Sequence, residues 1–171
     1  VVLADMISVD ISSNLGATPV KNNINELVKN YGVTANQDLI YDRYNSNISY
    51  SQGYFTTTAP YPYFVRAQKE NFGDSASLSG LQALVFPWVS SLTLADSADY
   101  TAKSLVTSSN QSDSTSGTFN LLPSVSLPAP KGGKKTIVAF AAPKSADSKS
   151  GSVFVAGGSF FVLPDFIGSA P

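Results

Sequence analysis

Residues 18–42 read TPVKNNINELVKNYGVTANQDLIYD, and the assignment of the fold turns on them. Thr18-Pro19 has the form of an N-cap followed by proline at the first helical position, where the missing N–H costs nothing. Val20, Ile24, Leu27, Val28 and Tyr31 then fall at i, i+4, i+7, i+8 and i+11, one apolar stripe at helical spacing. Gly32 supplies the left-handed residue beyond the helix end. Val33-Thr34, a polar turn at Asn36-Gln37 and the short strand Asp38-Leu39-Ile40-Tyr41-Asp42 follow. Upstream, residues 1–9 form an apolar stretch interrupted by Asp5 and ending at Asp10, which reads as a buried strand. Strand, helix and strand in about forty residues describe a βαβ unit, whose crossover implies parallel strands.

The remainder is read outward from that unit. Residues 43–80 are aromatic and irregular, with Pro60 and Pro62 at alternate positions, and read as an ordered loop because proline is excluded from central strands. Leu84-Val85-Phe86-Pro87-Trp88-Val89 reads as a strand whose proline marks an edge or a bulge, and residues 100–109 as another. Pro123, Pro128 and Pro130 with Lys131-Gly132-Gly133-Lys134-Lys135 make a loop. Two apolar runs, residues 136–142 and 152–156, are joined by the polar residues 144–151 as an antiparallel pair, and residues 160–167 suit a helical turn. The fold class expected is α/β: a mostly parallel sheet with flanking helices and an antiparallel strand pair near the C-terminus, part of a larger flavodoxin-like or glutamine-amidotransferase-like domain.

Composition narrows the chemistry. The 171 residues are 43% hydrophobic and 11% aromatic, enough to build a core, while 11 basic residues against 12 acidic ones leave no field for a phosphate backbone. Nucleic acid is therefore not an expected partner. The polar surface is built from Ser, Thr, Asn, Gln and Tyr, as in residues 45–52 and 108–112, a composition commoner outside cells. The chain has no His and no Cys, which removes Ser-His-Asp triads, Cys-His pairs and ordinary zinc sites. No run is long enough to span a membrane, and Val1 follows neither Met nor a basic leader, as in a piece of a longer protein entered in mid-strand.

Carboxylate chemistry remains. Asp5 with Asp10, Asp38 with Asp42, Glu70 with Asp74 and Asp96 with Asp99 are close in sequence, and such pairs serve glycoside hydrolysis or hard cations; capping and solvated turns are the commoner use. The lysine loop at 131–135 lacks the phosphate-loop spacing and precedes a strand, so a solvated turn is favoured. Gly157-Gly158-Ser159 reads as a tight turn before an anion cradle. Asn47-Ile48-Ser49 and Asn110-Gln111-Ser112 fit the glycosylation acceptor pattern. The aromatics of 50–64 read as a lid over the core, with a sugar-stacking or partner surface as the alternative. In an open parallel sheet ligands bind beyond the carboxyl ends of the strands, which makes Asp10, Asp42, Ser108, Ser109 and Ser159 the expected ligand-binding set, with no catalytic or metal residues and no cofactor.

The order of Leu3-Ala4-Asp5, Asn25-Glu26-Leu27-Val28-Lys29-Asn30-Tyr31-Gly32-Val33 and Asp38-Leu39-Ile40-Tyr41-Asp42 resembles the soluble domain of gliding-motility-type ABC transporter auxiliary proteins. Leu84-Val85-Phe86-Pro87, residues 105–109 and residues 151–161 continue it, with Ser152 and Gly158 standing where the pattern has Arg and Asp. The resemblance implies a non-catalytic binding or coupling module: one extracytoplasmic α/β domain, residues 1–171, of a longer membrane-anchored protein. ABC permease and ATPase subunits are the implied partners, with a protein or glycan ligand possible.

Overall fold

The computed structural model describes residues 1–11, 15–124, 126–145 and 151–167. Strands dominate it, and nearly all of their pairings are antiparallel. The expectation of a mostly parallel, flavodoxin-like α/β sheet is overturned. A parallel crossover needs a dozen or more residues to recross the sheet, and the helix expected to provide it is too short.

Helix α1 covers only Ile24–Val28 and passes into a 3-10 turn, Lys29–Tyr31. The cap expected at Thr18-Pro19 instead closes strand β3 (Gly16–Pro19), which pairs with β2 (Ile7–Asp10) in a hairpin, Ile7 opposite Pro19. Asparagines fix the start and the seat of this short helix. Asn22 accepts the Ile24 N–H through Oδ1 at 3.2 Å, and Asn25 exchanges two bonds with the backbone of Ala35, at 2.8 and 2.9 Å. The first closes a turn at the helix start, and the others tie α1 to the chain beyond it. Of the predicted stripe, Val28 is buried and Leu27 lies exposed. The expected helix end is present: Gly32 has φ 73° and its N–H donates to the Lys29 carbonyl at 3.0 Å.

The stretch expected to be one N-terminal strand divides between two sheets. β1 (Val2–Leu3) runs parallel to β13 (Val153–Ala156) at the edge of a six-stranded sheet, while β2 belongs to the hairpin. In the larger sheet β13 pairs antiparallel with β12 (Thr136–Pro143), as expected of the C-terminal pair. β12 also pairs with β10 (Tyr100–Thr107), and at Thr136 with β9 (Leu92–Leu94), whose other neighbour is β4 (Val33–Ala35). Val28, Val33, Leu92, Ala139 and Val155 pack together where α1 covers this sheet.

Strand β5 (Asp38–Asp42) is buried along its whole length. It pairs antiparallel with β11 (Ser112–Ser116) on one edge, and on the other the Ile40 N–H donates to the Val89 carbonyl at 2.9 Å. Its side chains alternate, so Ile40 enters a core with Val65, Phe86 and Ile137, and Leu39 and Tyr41 enter an aromatic core with Tyr61, Tyr63 and Trp88.

The expected loop at 43–80 is mostly sheet. β6 (Asn45–Gln52) and the 14-residue β7 (Phe55–Gln68) form a hairpin, and β8 (Ala83–Pro87) pairs with the far half of β7. Both prolines are accommodated because β7 meets β8 only from Phe64 onward, so Pro60 and Pro62 fall where β7 has a strand on one side alone. From Tyr61 to Ala67 alternate residues of β7 are buried, the period-2 pattern of a half-covered strand. The expected proline edge is present, since Pro87 ends β8 at the border of this sheet.

Past β8 the chain bends at Trp88, whose φ of 45° is unusual for a bulky residue. The next residues lie against Gly157: the Ser90 N–H donates to the Gly157 carbonyl at 2.8 Å, and a Cβ on Gly157 would run into the Ser90 carbonyl. That glycine therefore serves close backbone approach. The C-terminal helical turn is a 3-10 segment, Phe160–Val162, followed by α2 (Pro164–Ile167).

Candidate functional site

Asp42 ends β5 beside β11, and it is 1% exposed. Its Oδ2 accepts the Ser109 N–H at 2.7 Å, and its Oδ1 accepts the Ser109 Oγ–H at 2.6 Å and the Tyr44 N–H at 2.9 Å. The Gln111 N–H donates to Ser109 Oγ at 2.9 Å. Beside it Ser108 Oγ accepts the Lys135 N–H at 2.8 Å and lies 2.6 Å from Ser112 Oγ, while Asn71 donates to the Ser108 carbonyl at 3.0 Å. Three of the five residues expected at a site, Asp42, Ser108 and Ser109, are thus brought together.

The other two are elsewhere. Asp10 lies exposed at the end of β2, opposite Gly16, on a different hairpin. Ser159 sits beyond Gly157-Gly158 and donates its N–H to Asp5 Oδ1 at 2.7 Å. Convergence of all five required one parallel sheet with its strand ends aligned, whereas Asp10 ends β2 and Asp42 ends β5, each in a two-stranded sheet apart from the one that carries β10 and β13.

Asp38, at the opposite end of β5, repeats the arrangement at Asp42. Its Oδ1 accepts the Ser91 N–H at 2.8 Å and its Oδ2 the Ser91 Oγ–H at 2.7 Å, while Ser90 Oγ donates to the Asp38 carbonyl at 2.8 Å. Each end of β5 is therefore clamped by a carboxylate gripping the backbone N–H and hydroxyl of a serine in a distant segment. Charge-assisted bonds of this kind are about twice as strong as neutral ones. The carboxylate-pair reading of Asp38 and Asp42 fails on this geometry, because both are buried and engaged within the protein. Glu70, Asp74, Asp96 and Asp99 are exposed.

The lysine loop also turns on a carboxylate. Burial alone would raise the pKa of Asp113, but N–H bonds from Lys131 at 3.1 Å and Ser114 at 2.9 Å, with the Lys135 ammonium 3.8 Å away, hold it below the ordinary carboxylate value. Asp113 thus takes the place that an anion would have against this loop. Asn47 and Asn110, the two acceptor asparagines, are both exposed.

The aromatic core contains a hydrogen-bonded pair, of which the sequence placed Tyr61 in a lid and Trp88 in a strand. Tyr61 Oη donates to the Leu121 carbonyl at 2.6 Å and accepts the Trp88 Nε1–H at 3.1 Å. Burial pushes the Tyr61 phenol well above the usual range, and burial followed by the neighbouring Tyr41 pushes Tyr63 up to about 12. The signal that was available is the Gly53-Tyr54 pair between two β-forming runs, a two-residue hairpin loop with glycine first.

One open groove carries mixed chemistry. It encloses about 640 Å³ between β2, α1 and the 3-10 turn after Ser159, with Asp5, Asn22, Ile7, Leu27, Ser159 and Phe160 on its walls. Among the described residues no group of three or more His, Cys, Asp or Glu side chains is placed to hold a metal, and no helix is long and apolar enough to cross a membrane.

Fold and site together define a β-rich domain whose buried acids serve its own architecture. The chain belongs to a family of auxiliary components described as an ABC-type uncharacterized transport system, whose model matches residues 1–151. This agrees with the resemblance carried by the motifs up to Ser109; the stretch at 151–161 meets the match only at Gly151. No curated protein matches the chain. A solved structure described as mmIFT52 N-terminal domain aligns at 18% identity with a TM-score of 0.45, covering 80% of this chain and 46% of that one.

Proposed function

We propose that this chain is a non-catalytic, extracytoplasmic auxiliary domain of an ABC-type transport system that contacts the permease or the exported substrate. Membership of the transport family supports the transport role. The observation that carries the non-catalytic part is the engagement of Asp38 and Asp42 by Ser91 and Ser109, in a chain with neither His nor Cys to replace them as acid, base or nucleophile. Support for the location is the hydroxyl- and amide-rich surface, with only 13% charged residues. A carbohydrate-acting reading loses its carboxylate and two of its rings, since Asp42, Tyr61 and Tyr63 all face inward.

The test is purification from membranes of a cell that expresses the full-length protein with its neighbouring genes. Permease and ATPase subunits are expected to accompany it; repeated recovery of the protein alone would overturn the transport contact. Cleavage by protease added to intact spheroplasts tests the location, and protection until lysis would count against it.

A further inference from the structure

The paired residues Ser46–Gln52 of β6 and Phe55–Tyr61 of β7 extend beyond the point where β8 joins the sheet, so the hairpin continues as a two-stranded arm. Seven residues per strand make that arm roughly 20 Å long. Gly53, with φ 64°, and Tyr54 form its two-residue turn, the geometry that glycine at the first loop position favours. At the tip Tyr54 is 104% exposed and Phe55 76% exposed, although aromatic side chains of this size ordinarily dominate buried surfaces.

The arm is also uncharged. From Tyr44 through Val65 the sequence has no Asp, Glu, Lys or Arg; Arg43 and Arg66 bracket it at the base. Behind the tip comes a zone of hydroxyls, Ser51, Thr56, Thr57 and Thr58, with Ser49 Oγ and Thr58 Oγ1 2.8 Å apart.

We propose that the Tyr54–Phe55 tip inserts into the interfacial layer of a lipid bilayer. An amphipathic tyrosine ring favours that layer, where one end is apolar and the other wet, phenylalanine adds apolar area to it, and a charge carried with them toward the hydrocarbon is costly. The tip supplies the rings, and the arm behind it brings no charge that would have to be dehydrated. The hydroxyl zone then lies at headgroup level. With no basic residue on the arm, insertion depends on apolar transfer and not on anionic lipid, so it is insensitive to salt. This inference is independent of the permease contact, because it requires only a bilayer.

Two rings alone bind a free bilayer weakly, so the test holds the chain at the surface. The 171-residue chain with a hexahistidine tag is bound to phosphatidylcholine vesicles containing a nickel-chelating lipid, which makes insertion an intramolecular event. Phe55→Trp reports the tip and Asn47→Trp the base of the arm, with the signal of the native Trp88 subtracted. Brominated acyl chains are expected to quench Phe55→Trp at least about twofold more than Asn47→Trp, with a blue-shifted emission unchanged by salt. Adding Tyr54→Asp to the Phe55→Trp chain, which puts a charge on the inserting tip itself, is expected to abolish both effects while the circular dichroism stays native. Equal quenching at both positions, or water-like emission from the tip of a folded chain, overturns the proposal. So does a tip that becomes shielded only when a permease is present, which would make the partner a protein.

Discussion

Ser109 donates both its backbone N–H and its hydroxyl to the carboxylate of Asp42, at 2.7 and 2.6 Å, and this links the end of β5 to the segment after β10. The pair is 67 residues apart in sequence, so the bond closes a long-range contact in the interior. Asp42→Asn retains one acceptor and turns an NH₂ group toward a donor. Leaving a buried donor unmatched costs about 1–3 kcal/mol, and Asp42→Ala should exceed Asp42→Asn. Urea denaturation measures both, and a change below about 0.5 kcal/mol for Asp42→Ala would refute the clamp.

Tyr61→Phe removes a hydroxyl that satisfies the Leu121 carbonyl and the Trp88 indole at once. Loss of about 1–3 kcal/mol is expected, because two buried groups lose their partner while the ring volume is unchanged. Trp88 is the only tryptophan, so its fluorescence follows the same variant directly. Unchanged emission together with unchanged stability would show that the hydroxyl is dispensable.

Gly157→Ala places a methyl group against the Ser90 carbonyl, with backbone on both sides of the contact. Overpacking of this kind costs about 1–3 kcal/mol. Gly53 has nothing near its Cβ position, and its substitution strains only the turn. Thermal melts should therefore rank Gly157→Ala below Gly80→Ala, which meets open space at an ordinary φ. Equal melting temperatures would contradict the close approach.

Tyr63 holds its proton up to about pH 12, and Tyr61 is raised in the same direction, against an ordinary value of 10.0. A folded-state pKa above the unfolded one contributes stability that is complete below pH 10 and is lost as pH climbs toward 12. The urea midpoint should fall across that window as tyrosinate absorbance at 295 nm appears, and Tyr63→Phe should make the fall shallower. A midpoint that stays level between pH 10 and 12 would exclude a phenol buried in the neutral state.

Several elements were legible from local chemistry. Val138, Ala139 and Phe140 declare a strand wherever they are placed, and the antiparallel pair they form with Val153–Ala156 followed from a short polar connection. Gly32 marked the end of its helix, because a left-handed residue is a local requirement. Asp38–Asp42 was visible as a strand of apolar and aromatic residues between two acids.

Apart from that C-terminal pair, the partners of the elements were not legible. Val20 through Tyr31 has a helical stripe, yet the helix that forms is five residues long, since Thr18 and Pro19 are taken up by pairing with β2 and Leu27 finds nothing to cover it. Pro60 and Pro62 argued against a strand by a rule that concerns strands with neighbours on both sides. Whether β7 has a second neighbour at that point depends on where β8 begins, a tertiary fact.

The sequence by itself determined what this protein lacks for chemistry, where several of its strands lie, and that its acids come in pairs along the chain. Only the tertiary structure decided that Asp38 and Asp42 grip serines from other segments and that Tyr61 bonds Trp88 in the core while Tyr54 and Phe55 stand in solvent. The physical reason is range. Periodicity and turn propensity act over a few residues, whereas the burial of a carboxylate or a ring is set by whichever distant strand arrives beside it.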